Sequence, residues 1–428
     1  MDRILRLPRS VLVIMGVVVL AGIAALAVLF GLFERSVVSA AVETPLSREK
    51  MAELAPRGRY LAQAADCAAC HTAPGGAPYA GGLAFPMPIG TLNATNISPD
   101  VETGIGGWSR ADFHRAVRDG VAPHGRRLYP AMPYTSYRQL TEEDTDAIYA
   151  FLMTREPIRQ ENRGDSFPYP YVRPFMAFWN LLNLSGQGAV DDASKSKDWN
   201  RGRYLVDALG HCGECHTPRN ITMATIGSRY LQGTSIEGVD APDITSNSLV
   251  RFGFDHASLA AYMRTGVGAQ GVMSFGMFDV VHNSTRYLTE ADAAAMSRYL
   301  LGETPAAVTA PTPVAIDESV KMAGRQVYVA TCAGCHGVNG EGTPRVAPPM
   351  SSNISVRLPG AHNLLVAMLD GLPAREYPDG EARQAMPGFR GLLTDQQIAD
   401  LANYMRATWG GVNPDVTVQA VSQVSPRQ

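Results

Sequence analysis

Three hydrophobic patterns divide the chain. The first is continuous: VLVIMGVVVLAGIAALAVLFGLF, residues 11–33, runs 23 residues without a charge. As a helix it spans roughly 30–35 Å, enough to cross a bilayer core. Arg3, Arg6 and Arg9 precede it, so the basic stub 1–10 is expected on the cytoplasmic side and everything after Glu34 outside. A cleaved signal is the alternative, with VVSA at 37–40 as its cleavage site, but signal cores usually hold about 7–15 apolar residues. The second pattern is helical, with apolar residues spaced three and four apart, as at Ile398, Leu401 and Met405. The third comprises Gly/Pro-rich stretches, which read as loops between the helices.

The helical pattern repeats three times. RGRYLAQAADCAACHT (57–72) matches RGRYLVDALGHCGECHT (201–217), and AGRQVYVATCAGCHG (323–337) is a looser third copy. Each reads as a short helix with Tyr on its apolar face, ending in a cysteine pair. A loop follows, then ATNISPD (94–100), APDITSN (241–247) or SSNIS (351–355). Helices are predicted next from Arg110, His256 and Ala361, and then a methionine-bearing loop. A final helix sits behind an LT cap at Leu140, Leu288 and Leu393, with Thr as N-cap and acidic or amide residues in the first turn. The expected boundaries are 50–155, 198–302 and 319–410. A connector (156–197) should pack Trp179 and Leu182 onto a neighbour. A Pro/Ala-rich linker covers 303–318, and a polar tail (411–428) is expected to be flexible.

All six cysteines fall in three C-x-x-C-H motifs: Cys67, Cys70 and His71; Cys212, Cys215 and His216; Cys332, Cys335 and His336. This is the attachment signature of haem c. Residues i and i+3 share a helical face, so two thiols reach the two vinyl groups of one porphyrin while the adjacent His becomes the proximal iron ligand. Disulfides would not require His each time, and zinc ribbons place their CxxC pairs far closer together. The expectation is three covalently bound haems c. A net charge of −3 leaves no basic footprint for nucleic acid, and no GxSxG, HExxH or phosphate-binding Gly-rich loop is placed for catalysis.

The other axial position decides what a haem does; a Met/His pair favours electron transfer. Met132 lies 61 residues after His71, Met277 lies 61 after His216, and Met386 lies 50 after His336. Equal spacing favours Met277 over Met273. Pro follows Met132 and Met386 and stiffens those loops. Pro348 is expected to offer its carbonyl to His336 Nδ1. Arg118, Arg126 and Arg264 are candidates to pair with haem propionates. His114, His124, His211, His256, His282 and His362 read as solvated or capping residues.

From Arg57 to Trp409 the chain resembles the three-haem cytochrome c subunits of bacterial membrane-bound dehydrogenases. The segments that carry this are RGRYLAQAADCAACHT, ATNISPD, YPAMPYTSY, RPFMAFWNLL, CGECHTPRN and VVHNSTRYLTEAD. The resemblance implies a mainly α fold of three tandem class I cytochrome c-like domains behind one transmembrane helix, facing the periplasm from the cytoplasmic membrane. It implies an electron-transfer subunit rather than a catalyst. Its partners would be a molybdenum, PQQ or flavin dehydrogenase subunit, a small iron–sulfur subunit in some members, and ubiquinone as acceptor. FGMFDVV departs from the pattern in lacking Pro after its Met, and the long apolar segment lies at the N-terminal end. Two alternatives stay open: a multihaem reductase or peroxidase with one open iron, and a cytochrome subunit of a terminal oxidase.

Overall fold

The computed structural model describes residues 13–22, 44–87, 90–166, 168–184 and 190–426. Most of the apolar segment 11–33 lies outside these. Residues 13–22 are helical, and Val13, Ile14, Val17, Val18 and Leu20 are exposed there. Among the described residues no helix is long and apolar enough to cross a membrane.

The fold is mainly helical, as the periodicity predicts. The first repeat is framed by α1 (Arg48–Ala64), α2 (Arg110–Asp119) and α3 (Glu142–Met153), and the connector carries α4 (Met176–Asn183). The second repeat uses α5 (Lys197–Arg203), α6 (His256–Thr265), α7 (Gly276–Asn283) and α8 (Glu290–Leu301). The third uses α9 (Glu318–Thr331), α10 (His362–Asp370) and α11 (Asp395–Met405), followed by α12 (Val418–Ser422). The predicted caps form: Thr141, Thr289 and Thr394 each accept a bond from the backbone N–H three residues on, at 3.1, 3.1 and 3.2 Å.

In each repeat the first helix crosses the last: α1 on α3, α5 on α8, α9 on α11. Every crossing carries one glycine at the same place. A Cβ at Gly58 would lie 1.7 Å from the Ala147 carbonyl oxygen, at Gly202 1.9 Å from that of Ala295, and at Gly324 2.2 Å from that of Asp400. The backbones touch, so no side chain fits. A single extra residue separates RGRY from its cysteines in the second copy. It is absorbed by a wide turn at Tyr204–Leu209, where Gly210 N–H bonds the Leu205 carbonyl instead of a closer one.

Repeats 1 and 2 share one core, in which Leu61, Ile148 and Leu152 pack in the same cluster as Leu205, Leu209 and Met296. Repeat 3 has a second core around Tyr328, Leu365, Ile398 and Leu401. Two expectations fail here. The tail is not a bare polar extension: α12 docks, Val421 is buried, and Asn403 brackets Val416 with two bonds of 2.9 Å. Its Val residues at 416, 421 and 424 are too widely spaced to stand out as a pattern. In the connector, Trp179 packs edge-on to Tyr134 and donates to the Thr222 carbonyl, but Leu182 is exposed.

Candidate haem sites

Each C-x-x-C-H motif folds as one helical turn: Cys67–Cys70, Gly213–His216 and Ala333–His336. In the first two repeats a residue with positive φ breaks the preceding helix, Asp66 at 56° and His211 at 37°. Repeat 3 has a shorter approach, and its helix runs straight into Cys332.

The three histidines are held identically. His71 Nδ1 donates to the Thr95 carbonyl at 2.6 Å, His216 Nδ1 to that of Pro242 at 2.7 Å, and His336 Nδ1 to that of Pro348 at 2.9 Å. A carbonyl only accepts, so Nδ1 carries the proton and Nε2 keeps its lone pair. The backbone carbonyls of the same histidines accept bonds from Gly81, Gly233 and Gly342, at 2.8, 2.7 and 2.7 Å. Those glycines have φ of 76°, 78° and 78°, and a Cβ on any of them would strike the strand that supplies the Nδ1 acceptor. Each imidazole is thus gripped by a loop that only glycine can close.

Burial lowers the pKa of all three imidazoles against a smaller opposing effect of the carbonyl bond, so they stay neutral and able to ligate. Burial also pushes the thiols of Cys67, Cys70 and Cys212 up to about 12. His71, Cys67 and Cys70 keep accessible surface despite this desolvation, as expected where protein surrounds a cleft. All six cysteines are free thiols. Among the described residues no three His, Cys, Asp or Glu side chains cluster as a metal node. Paired free thiols in one turn, with a neutral imidazole presenting Nε2 beside them, fit haem c. The chemistry such a group supplies is one-electron exchange at iron.

The predicted methionines fall at corresponding places. Leu128 N–H bonds the carbonyl of the helix-ending Gly120 at 2.8 Å, and Met273 N–H bonds that of Gly266 at 2.7 Å. Met273 is therefore the counterpart of Leu128, and Met277, four residues on, is the counterpart of Met132. Both are half-buried against the shared core, whereas Met273 is buried with its carbonyl taken by Tyr377. Met386 is half-buried and pairs through its backbone with Leu372, directly after the helix-ending Gly371.

The other assignments divide. Pro348 bonds His336 as expected. Its fellow acceptors Thr95 and Pro242 hold the same place in ATNISPD and APDITSN, but their residue types do not mark the role, and no pattern points to the three gripping glycines. SSNIS is not the third counterpart of ATNISPD. Ile97, Ile244 and Met350 make the equivalent backbone bonds, to Tyr79, Leu231 and Gly340, so Pro348–Met350 fills that place. SSNIS instead starts a helical turn capped by Asn353. His114 is not solvated: it is buried with Nε2 2.8 Å from Asp146. Arg264 is committed to the Leu288 carbonyl and Glu290, and Arg118 reaches the Arg138 carbonyl.

Residues 55–156 and 322–409 match the family model for cytochrome c. The chain is 38% identical over 407 residues to the gluconate 2-dehydrogenase cytochrome c subunit of Pantoea cypripedii, covering 87% of this chain and 89% of that protein. It is 34% identical over 398 residues to the fructose dehydrogenase cytochrome subunit of Gluconobacter japonicus, covering 86% and 82%. It is also 40% identical over 370 residues to one of the subunits of the nicotinate dehydrogenase of Pseudomonas putida, but this covers 85% of the chain and only 31% of that longer protein. With its C-x-x-C-H motifs and their gripped histidines, the chain belongs to the cytochrome c subunits of bacterial dehydrogenases.

Proposed function

We propose that this chain relays electrons from a catalytic dehydrogenase subunit to ubiquinone through three covalently bound haems c, one in each of three domains (50–155, 198–302 and 319–410). The observation that carries this reading is the threefold recurrence of paired thiols beside a histidine whose Nδ1–H is spent on a backbone carbonyl. His71, His216 and His336 would hold the irons, with Met132, Met277 and Met386 as second ligands. Irons held by both would offer no position to a substrate and would supply one-electron exchange. The apolar segment 11–33 anchors it in the cytoplasmic membrane, with the haem domains in the periplasm. The exposed apolar helix at residues 13–22 supports that placement.

The relatives are named as subunits of gluconate, fructose and nicotinate dehydrogenases, which supports a partner that oxidises a small organic substrate. The partner here is an aldehyde-, alcohol- or sugar-acid-oxidising subunit of molybdenum, PQQ or flavin type, with a small iron–sulfur subunit if it is of the molybdenum class. A pull-down from detergent-solubilised membranes tests the reading. It is expected to recover a dehydrogenase subunit whose substrate reduces the haems. Recovery of a haem–copper subunit instead, or of a peroxide-reactive high-spin haem, overturns it.

A further inference from the structure

Repeats 1 and 2 are joined by a crossed pair of clasps that obeys a local two-fold symmetry. Tyr60 OH donates to Asp292 Oδ2 at 2.5 Å, and Tyr204 OH donates to Asp144 Oδ2 at 2.7 Å. Each hydroxyl also accepts a bond from the helix cap of the opposite repeat: Thr289 N–H at 3.3 Å and Thr141 N–H at 3.2 Å. Each aspartate is fixed from its own repeat by an arginine. Arg57 Nε lies 2.8 Å from Asp144, and Arg201 Nε lies 2.8 Å from Asp292. Both aspartates are buried. The residues involved are the Arg and Tyr of the two RGRY copies and the Thr and Asp of the two LT-capped helices.

The clasp lies on the approach to the cysteine motifs: Tyr60 precedes Cys67 by seven residues and Tyr204 precedes Cys212 by eight. The approaches to the two motifs also touch: Tyr137 of repeat 1 packs edge-on to His211, the residue before Cys212, with ring centroids 5.7 Å apart. Glu214, inside CGECH, accepts from Thr135 Oγ1 and Ser136 Oγ of repeat 1 at 2.8 and 3.1 Å. Ser284 Oγ of repeat 2 donates to the Ala64 carbonyl, three residues before Cys67. Repeat 3 carries Ala323, Gln326 and Gln397 where the others have Arg, Tyr and Asp, and so lacks the whole device.

We infer that Tyr60 and Tyr204 are positioning residues that fix the first two haem sites as one rigid pair, so that a single electron passes between them without rearrangement. The inference rests on the haem reading above. With haem bound at both sites the exchange would be one-electron, one site oxidised as its neighbour is reduced, with no bond formed or broken and no proton needed. Repeat 3 lies outside this pair and serves as an internal control.

The test is the full-length, haem-matured protein carrying Tyr60→Phe and Tyr204→Phe together. The change removes two hydroxyls and leaves the rings, arginines and cysteine motifs in place. Intact mass reads the covalent haem count, EPR of the oxidised protein reads dipolar broadening between the first and second irons, and flash reduction reads electron redistribution between them. The haem count and the third haem's signal should be unchanged. The docked arrangement should weaken roughly tenfold per hydroxyl, about 1.4 kcal/mol each, with broadening lost and redistribution slowed at least as much. Tyr60→Phe alone gives the same test at half strength should the double variant not fold. Wild-type broadening and rate in a fully haem-loaded variant overturn the inference. A wild-type chain without covalent haem overturns the site reading itself, which the mass reports separately.

Discussion

Repeats 1 and 2 meet through side chains: Tyr60 donates to Asp292 and Tyr204 to Asp144, each aspartate braced by an arginine of its own repeat. Repeat 3 meets repeat 2 by reading its backbone. Arg357 donates to the Phe252 carbonyl at 3.0 Å, Tyr377 to that of Met273 at 2.8 Å, and Asn363 exchanges two 2.7 Å bonds with Asp240. The first interface lies over a common hydrophobic core; at the second each core takes in one buried residue of the other side, Val239 in that of repeat 3 and Leu358 in the shared one. The same histidine grip is thus set in two mechanical contexts. A two-fold clasp needs matching residues on both partners, which duplicated sequence supplies. Backbone recognition needs only one adapted partner, and the third copy has Ala323, Gln326 and Gln397 in place of Arg, Tyr and Asp.

The comparison breaks most severely at the helix crossings, which all three repeats share. Gly58→Ala, Gly202→Ala and Gly324→Ala should each cost about 3 kcal/mol by forcing the helices apart. The cost should fall in that order, as the Cβ-to-oxygen distances of 1.7, 1.9 and 2.2 Å rise. Denaturant unfolding checks this. Gly58→Ala and Gly202→Ala should lower the transition of the shared core, and Gly324→Ala that of repeat 3. Next, Met277→Leu should remove one of three contributions to the near-infrared sulfur-to-iron band, whereas Met273→Leu should leave the band intact. Equal losses would reverse the register argument.

At the second interface, Tyr377→Phe removes the hydroxyl that bonds the Met273 carbonyl and the Ser274 side chain. It should loosen repeat 3 by about 1 kcal/mol, seen as faster amide exchange around 273–278 with no change at Tyr60 or Tyr204. The smallest effect is electrostatic. Burial of Asp292 favours its neutral form, but bonds from Arg201 and Tyr60 outweigh this and lower its pKa below 3.8. A depressed carboxyl stabilises the fold fully above its unfolded pKa, and that support fades as pH falls through the folded value. Asp292→Asn should therefore flatten the acid limb of the stability profile below about pH 5, measured by urea unfolding.

The parts legible in the sequence are those governed by local rules. Thr141, Thr289 and Thr394 announce their helices because N-cap chemistry acts over three residues. The C-x-x-C-H motifs are legible because attachment needs cysteines one turn apart. The SSNIS match fails because it compares residue types, whereas Pro348 and Met350 take that place through backbone bonds that any residue makes. Thr95 and Pro242 leave no signature for the same reason: the acceptor is a carbonyl. Tyr60 and Tyr204 read as apolar-face residues because their partners lie 232 and 60 positions away. His114 reads as solvated because nothing near it in sequence reveals Asp146.

The claim that each of the three sites holds a covalent haem c is tested most directly by the intact mass of the chain matured in a bacterium able to attach haem c. The account predicts an increase of three covalent haems over the polypeptide, each lost singly when the cysteine pair of one motif is changed to alanine. A mass showing fewer than three, or none, in otherwise folded protein would contradict it.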